Sequence, residues 1–213
     1  MATTIVINRD IPEQAFDWYL PKSIVDASTT SSTSTSSSTS TSTTTSTLST
    51  KTLFPLFVFV HGGLWVGRDK ADYWQLGALV ASRGFACAVV NYRLSRADNG
   101  VRRLDHAHDV AAILRYLHAN AAALQIDERS GFTLCGHSCG AHMAALFALQ
   151  PKRFALDDVP LRHFISVQGL YDLHRFADDF PRWASELHVP WTDDRANWIS
   201  PQREPAEGKS MNE

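Results

Sequence analysis

The sequence predicts an α/β fold in which a largely parallel sheet is flanked by helices. Three observations predict it. Phe54–Val60 and Phe85–Asn91 are short apolar runs of the length and composition of buried strands, and Gly131–Cys135 and His163–Gln168 read as further strands. Segments with helical spacing of apolar residues separate most of them. The resulting alternation of strand and helix is what a parallel sheet with crossover helices requires.

Taken in order, Ala15–Ser23 (AFDWYLPKS) reads as a short strand ending at Pro21. From Ser28 to Thr50 every residue except Leu48 is Ser or Thr. Such a tract buries too little to offset the entropy of ordering its backbone, so a flexible insertion is expected. FPLFVFV (Phe54–Val60) is then a strand stopped by His61-Gly62-Gly63. Tyr73–Ser82 reads as a helix with Leu76, Leu79 and Val80 on one side and Gly84 as its stop. FACAVVN (Phe85–Asn91) is the next strand, and Asp105–Ala121 a long helix carrying Val110, Ile113, Leu114 and Leu117 at helical spacing. GFTLC (Gly131–Cys135) and HFISVQ (His163–Gln168) are strands, with a small-residue helix over Cys139–Leu149 between them. The expected organisation is an N-terminal strand region over 1–27, a Ser/Thr-rich insertion over 28–52 and a core over 53–201. A cap-like region over 172–198 and a disordered tail over 202–213 complete it.

Composition narrows the function. The chain has 213 residues, one ordinary domain, with 44% apolar and 20% charged residues. A net charge of −2 disfavours a broad basic face for nucleic acid. Three cysteines, an odd number, argue against a disulfide-stapled secreted scaffold. No apolar run reaches the ~18 residues of a membrane span. MATTIVINRD lacks the pattern of a signal peptide, so a cytoplasmic location is expected.

Gly136-His137-Ser138-Cys139-Gly140 is a G-x-S-x-G pattern set between a predicted strand and a predicted helix. That context is the one in which a serine sits on a sharp strained turn and projects its Oγ from the sheet. The helix after Ser138 would aim N–H groups and its positive end at developing negative charge. Ser138 is therefore the candidate nucleophile. His61-Gly62-Gly63-Leu64-Trp65 follows the strand over Phe54–Val60, and glycines there let backbone N–H groups approach a substrate. Gly62, Gly63 and the N–H of Cys139 are the candidate oxyanion hole. His61, Trp65, Gly136, His137 and Gly140 support the two motifs, with His61 expected to hold the loop rather than move a proton.

HGGLW and GHSCGAH (Gly136–His142) resemble the esterase and lipase branch of the α/β-hydrolases, most nearly the kynurenine formamidases (arylformamidases) and similar small carboxylesterases. Those proteins bear HGG-aromatic-W and GHSAGAH, and this chain departs from them at Leu64 and at Cys139, where they usually carry Ala. FDWYLP, NYRL (Asn91–Leu94), GLYDL (Gly169–Leu173) and ISP (Ile199–Pro201) agree with the family. The resemblance implies an α/β-hydrolase three-layer sandwich with a mostly parallel sheet, no cofactor and no metal. It also implies a small ester or formamide substrate, cleaved through a Ser nucleophile and an acyl-enzyme. Neither nucleic acid nor membrane is an expected partner, and a homo-oligomer is allowed.

A serine needs a histidine base oriented by a carboxylate, and in this superfamily the chain order is Ser, Asp or Glu, His. The resemblance places that acid and histidine after two further strands beyond the ISP stretch. Twelve residues follow Pro201 and no His follows His188, so a C-terminally truncated sheet lacking the last two strands is expected. The rival expectation is accordingly an inactive relative acting as a binding protein or an incomplete gene product. Within the chain the order Ser138, Asp172, His188 is formally available, with His174 also downstream. Asp172 is rather expected to fix a loop, and His142 to pack beneath the elbow. His106 and His108 read as solvent-facing or capping residues rather than metal ligands. Cys87 and Cys135 read as inert core thiols. Trp65, Trp74, Trp183, Trp191 and Trp198 are divided between lining an aromatic pocket and packing the core.

Overall fold

In the computed structural model, residues 2–22 and 52–181 are described. Six strands form one mixed sheet in the order β1-β2-β4-β3-β5-β6. They are β1 (Thr3–Val6), β2 (Ala15–Tyr19), β3 (Leu56–Val60), β4 (Ala86–Val90), β5 (Phe132–His137) and β6 (Leu161–Val167). β3 runs parallel to both β4 and β5, and β5 parallel to β6. The first two strands join antiparallel at the far edge. The helices are α1 (Trp74–Ser82), α2 (Arg103–Ala119), α3 (Cys139–Leu149) and α4 (Leu173–Asp179). This is the α/β architecture that the alternation predicts.

The sheet is buried on two faces because its central strands carry apolar residues at every position. Leu56, Val58 and Val60 of β3 pack with Val110, Ile113, Leu114 and Leu117 of α2 and with Met143 and Phe147 of α3. Phe59, Cys87 and Val89 face the other way, with Ala81 of α1 and Tyr19. Each fully buried aliphatic or aromatic side chain contributes about 2 kcal/mol of transfer free energy, so α2 and α3 together anchor that layer.

Three local features are not legible in the sequence pattern. β1 has no counterpart in the expected elements, because four largely exposed residues carry no alternating pattern. On α1 the apolar stripe is split: Leu76 and Val80 pack against the core, but Leu79 is 53% exposed while Gly77 and Ala81 are buried. Gly77 sits against the Tyr19 ring, where an added Cβ would meet Cε2 at 2.4 Å, so the helix docks through its smallest residues and turns Leu79 outward. β6 is a strand exposed along almost its whole length, with Phe164, Ile165 and Val167 at the surface.

The Ser/Thr tract, His188, Trp183, Trp191, Trp198, the ISP stretch, most of the cap-like region and the tail lie outside the described residues. Among the described residues no helix is long and apolar enough to cross a membrane.

Candidate active site

Ser138 sits between the end of β5 and the start of α3, with φ 54° and ψ −118°. A non-glycine residue adopts that conformation only where its surroundings hold it. Here its N–H donates to the Val167 carbonyl at 2.8 Å, and its carbonyl accepts from the His142 N–H at 3.1 Å. Its side chain makes no capping hydrogen bond to the helix that it begins. The two glycines of the motif are required by close approach. A Cβ on Gly136 would stand 2.3 Å from the Gly140 carbonyl oxygen, and one on Gly140 would stand 2.2 Å from that of Val60. The elbow is therefore clamped between its own helix and the end of β3.

The end of β3 leads directly into the second motif, which lies against the first. A Cβ on Gly62 would stand 3.0 Å from that of Ser138 and 2.8 Å from His137 Nδ1. Among the described residues neither the Gly62 nor the Gly63 N–H donates to a backbone carbonyl. Gly63, at φ 111°, accepts from the N–H groups of Val66 and Gly67 and turns the loop back on itself. His61 is fully buried and donates from Nδ1 to the Gly62 carbonyl at 2.7 Å. Burial pushes its pKa below the ordinary value against the opposing pull of the Gly62 carbonyl and Asp69, so the ring is neutral near pH 7. Burial likewise raises the Tyr73 phenol, and the Gly62 N–H is close enough to that hydroxyl to oppose the shift.

The segment after β4 holds this loop and was not singled out by chemistry in the sequence. Tyr92, 1% exposed, donates to the His61 carbonyl at 3.0 Å and stacks on the His61 ring with centroids 4.5 Å apart. Asn91 accepts from the Lys70 N–H and donates to Asp69. The Ser95 N–H donates to the Trp65 carbonyl at 2.8 Å. Arg93 grips Asp109, which is fully buried, through Nε, Nη2 and its backbone N–H, and Gln14 completes that site. The readable signal was the polar run NYR directly behind a fully apolar strand.

Other expected residues fall as follows. Trp65 is buried between His106 and His142 in the core, and Trp74 is 58% exposed. His142 is buried and contacts the Leu170 carbonyl through Nδ1 at 2.6 Å, while His137 meets Gln168 at 3.3 Å. Asp172 caps α4 by accepting from the Arg175 N–H. His174 belongs to α4, and its side chain is outside the described set. His106 is corrected: it is fully buried, neither solvent-facing nor a cap, because its Nε2 meets Ser95 Oγ at 3.1 Å and its ring packs on Tyr92. His108 is exposed beside Phe154. Among the described residues no group of three His, Cys, Asp or Glu could hold a metal ion. Cys87, Cys135 and Cys139 are free buried thiols, and burial raises Cys87 to about 12.

Two glycine-bearing turns meeting at a strained serine pose the question of kinship. The BD-FAE family model matches residues 44–178, more than half of the chain. The chain belongs to the BD-FAE family. That family is an α/β-hydrolase, esterase-like one. The BD-FAE chain is 27% identical over 125 residues to kynurenine formamidase of Drosophila melanogaster, covering 58% of itself and 40% of that protein. It thus spans about two fifths of the length of that curated relative. Its fold is similar to esterase B from Lactobacillus rhamnosis, with TM-score 0.63 and 20% identity over 86% of this chain and 54% of that one. It is also similar to propionate-bound esterase 2 of Thermogutta terrifontis, with TM-score 0.59 and 19% identity over 88% and 63% respectively.

Proposed function

We propose that this chain is a serine hydrolase of carboxylic ester or aryl-formamide bonds, with Ser138 as nucleophile. The observation that carries the reading is the backbone of Ser138: a left-handed serine at a strand-to-helix turn, with its side chain unused as a cap and Gly62 packed against it. Strain of that kind costs about 1–3 kcal/mol and persists where it serves a task. In the reaction, Ser138 Oγ adds to the carbonyl carbon while its proton passes to a base. The N–H groups of Gly62, Gly63 and Cys139 hold the oxyanion. Collapse expels the alcohol or arylamine with a proton, and water then hydrolyses the acyl- or formyl-enzyme. The similarity to a kynurenine formamidase favours aromatic amide and ester substrates.

The test is labelling of the full chain by a fluorophosphonate, followed by turnover of N-formylkynurenine and short aryl esters. Covalent labelling that disappears in Ser138→Ala supports the reading. Folded wild-type protein that does not label overturns it.

A further inference from the structure

We propose that Tyr92 is the positioning residue of the oxyanion hole, its hydroxyl locking the loop of Gly62 and Gly63 to the elbow through the Cys139 side chain. The inference rests on the serine-hydrolase reading of the same site. Tyr92 Oη lies 3.0 Å from the His61 carbonyl oxygen, 3.4 Å from that of Gly62 and 3.5 Å from Cys139 Sγ. One buried oxygen therefore touches both segments whose N–H groups are assigned to the oxyanion. The backbone of Leu64 and Trp65 also approaches the Cys139 thiol, so the loop meets the elbow at this side chain from two sides.

The consequence follows from peptide geometry. In a trans peptide the carbonyl of one residue and the N–H of the next point in opposite directions. Holding the His61 carbonyl on Tyr92 turns the Gly62 N–H away from Tyr92. Holding the Gly62 carbonyl on His61 Nδ1 does the same for the Gly63 N–H. The Tyr92 proton goes to the His61 carbonyl, which can only accept, so the thiol of Cys139 donates to the phenol oxygen. Burial raises both the Tyr92 phenol and the Cys139 thiol above their ordinary values, which keeps both protons in place. The ring has little freedom to shift, since it stacks on His61 and stands edge-on to His106 at 5.7 Å. An oxyanion hole works only when its donors are aimed before the charge develops, and Tyr92 supplies that aim from behind.

The experiment is fluorophosphonate labelling kinetics of the full chain for wild type, Tyr92→Phe, Cys139→Ala and the double variant. The phosphonyl oxygen of the probe stands in for the oxyanion. Tyr92→Phe is expected to lower the maximal labelling rate about 10-fold while leaving the concentration for half-maximal rate within about twofold. Cys139→Ala should lower the rate less, and should add nothing once Tyr92 is Phe, because both changes break one lock. Val110→Ala, a core cavity of comparable destabilisation, should label at the wild-type rate. Wild-type rates in both single variants overturn the proposal, as does an equal loss in Val110→Ala or additivity in the double variant. If Tyr92→Phe does not fold, the rate loss in Cys139→Ala, and its recovery in Cys139→Ser, decides the matter. A wild-type protein that fails to label removes the hydrolase reading and this proposal with it. Labelling that is indifferent to Tyr92 and Cys139 removes the proposal alone.

Discussion

Gly62 and Ser138 lie so close that a methyl group on Gly62 would stand 3.0 Å from the Ser138 Cβ. The residue proposed to hold the oxyanion therefore has no room for a side chain beside the residue proposed to create it. Gly62→Ala must push the loop back by several tenths of an ångström, against His137 as well as the serine. The expected outcome is a loss of labelling or turnover of about 100-fold, with the thermal midpoint lowered by only a few degrees. Parallel activity and melting measurements check it.

Ser138 pays a conformational cost that glycine would not. Ser138→Gly should abolish fluorophosphonate labelling yet raise stability by about 1 kcal/mol in urea unfolding. A destabilised, unlabelled Ser138→Gly would show that the left-handed turn is not strained by its side chain.

Asp109 is fully buried and accepts from Arg93 at 2.8 Å through Nε and from Gln14 at 2.7 Å. Removing one partner leaves the other uncompensated. Arg93→Ala, which leaves the buried carboxylate without its cation, should cost about 3–5 kcal/mol, and Asp109→Ala a smaller amount because the Arg93 left behind is partly solvated. Urea midpoints with unchanged slopes are the measurement.

His61 makes stability depend on pH, with a definite sign. Its folded pKa lies below the ordinary 6.5, so the unfolded chain binds the proton more readily. Stability is therefore full above pH 6.5 and falls as pH drops below it towards the folded pKa. The slope is at most about 1.4 kcal/mol per pH unit. Asp69, whose folded pKa is lowered by the Ala71 N–H and Asn91 despite its burial, loses its contribution only below about pH 4. Unfolding of wild type and His61→Gln between pH 7.5 and 5 checks the first window, where the variant should show a shallower dependence.

Phe164, Ile165 and Val167 are each about 40% exposed on β6, the last strand of the sheet among the described residues. A flat apolar edge offers unpaired backbone groups to other strands. Ile165→Lys should reduce concentration-dependent association measured by light scattering, and leave Ser138 labelling unchanged.

Much of this molecule could be read from periodicity and punctuation. The α/β alternation, α2 with its four core residues, and the junction of β5 with α3 at Ser138 all follow from local sequence, because chain direction and burial pattern are local properties there. The failures share a different cause. β1 is placed by pairing with β2, Leu79 is turned outward by the fit of Gly77 on Tyr19, and His106 is buried by Ser95 and Tyr92. Each depends on a partner distant in the sequence.

The amino-acid sequence by itself determined that a G-x-S-x-G turn would join a buried strand to a helix, and that a glycine pair would end the preceding core strand. Only the tertiary structure decided that these two turns touch. Parallel pairing of β3 with β5 sets Val60 beside Gly136 in register and so brings the two strand ends to the same edge of the sheet. Only the tertiary structure, too, placed one hydroxyl, that of Tyr92 just beyond β4, behind both turns. Hydrogen bonds across 31 and 47 residues are products of strand order, which no local pattern encodes.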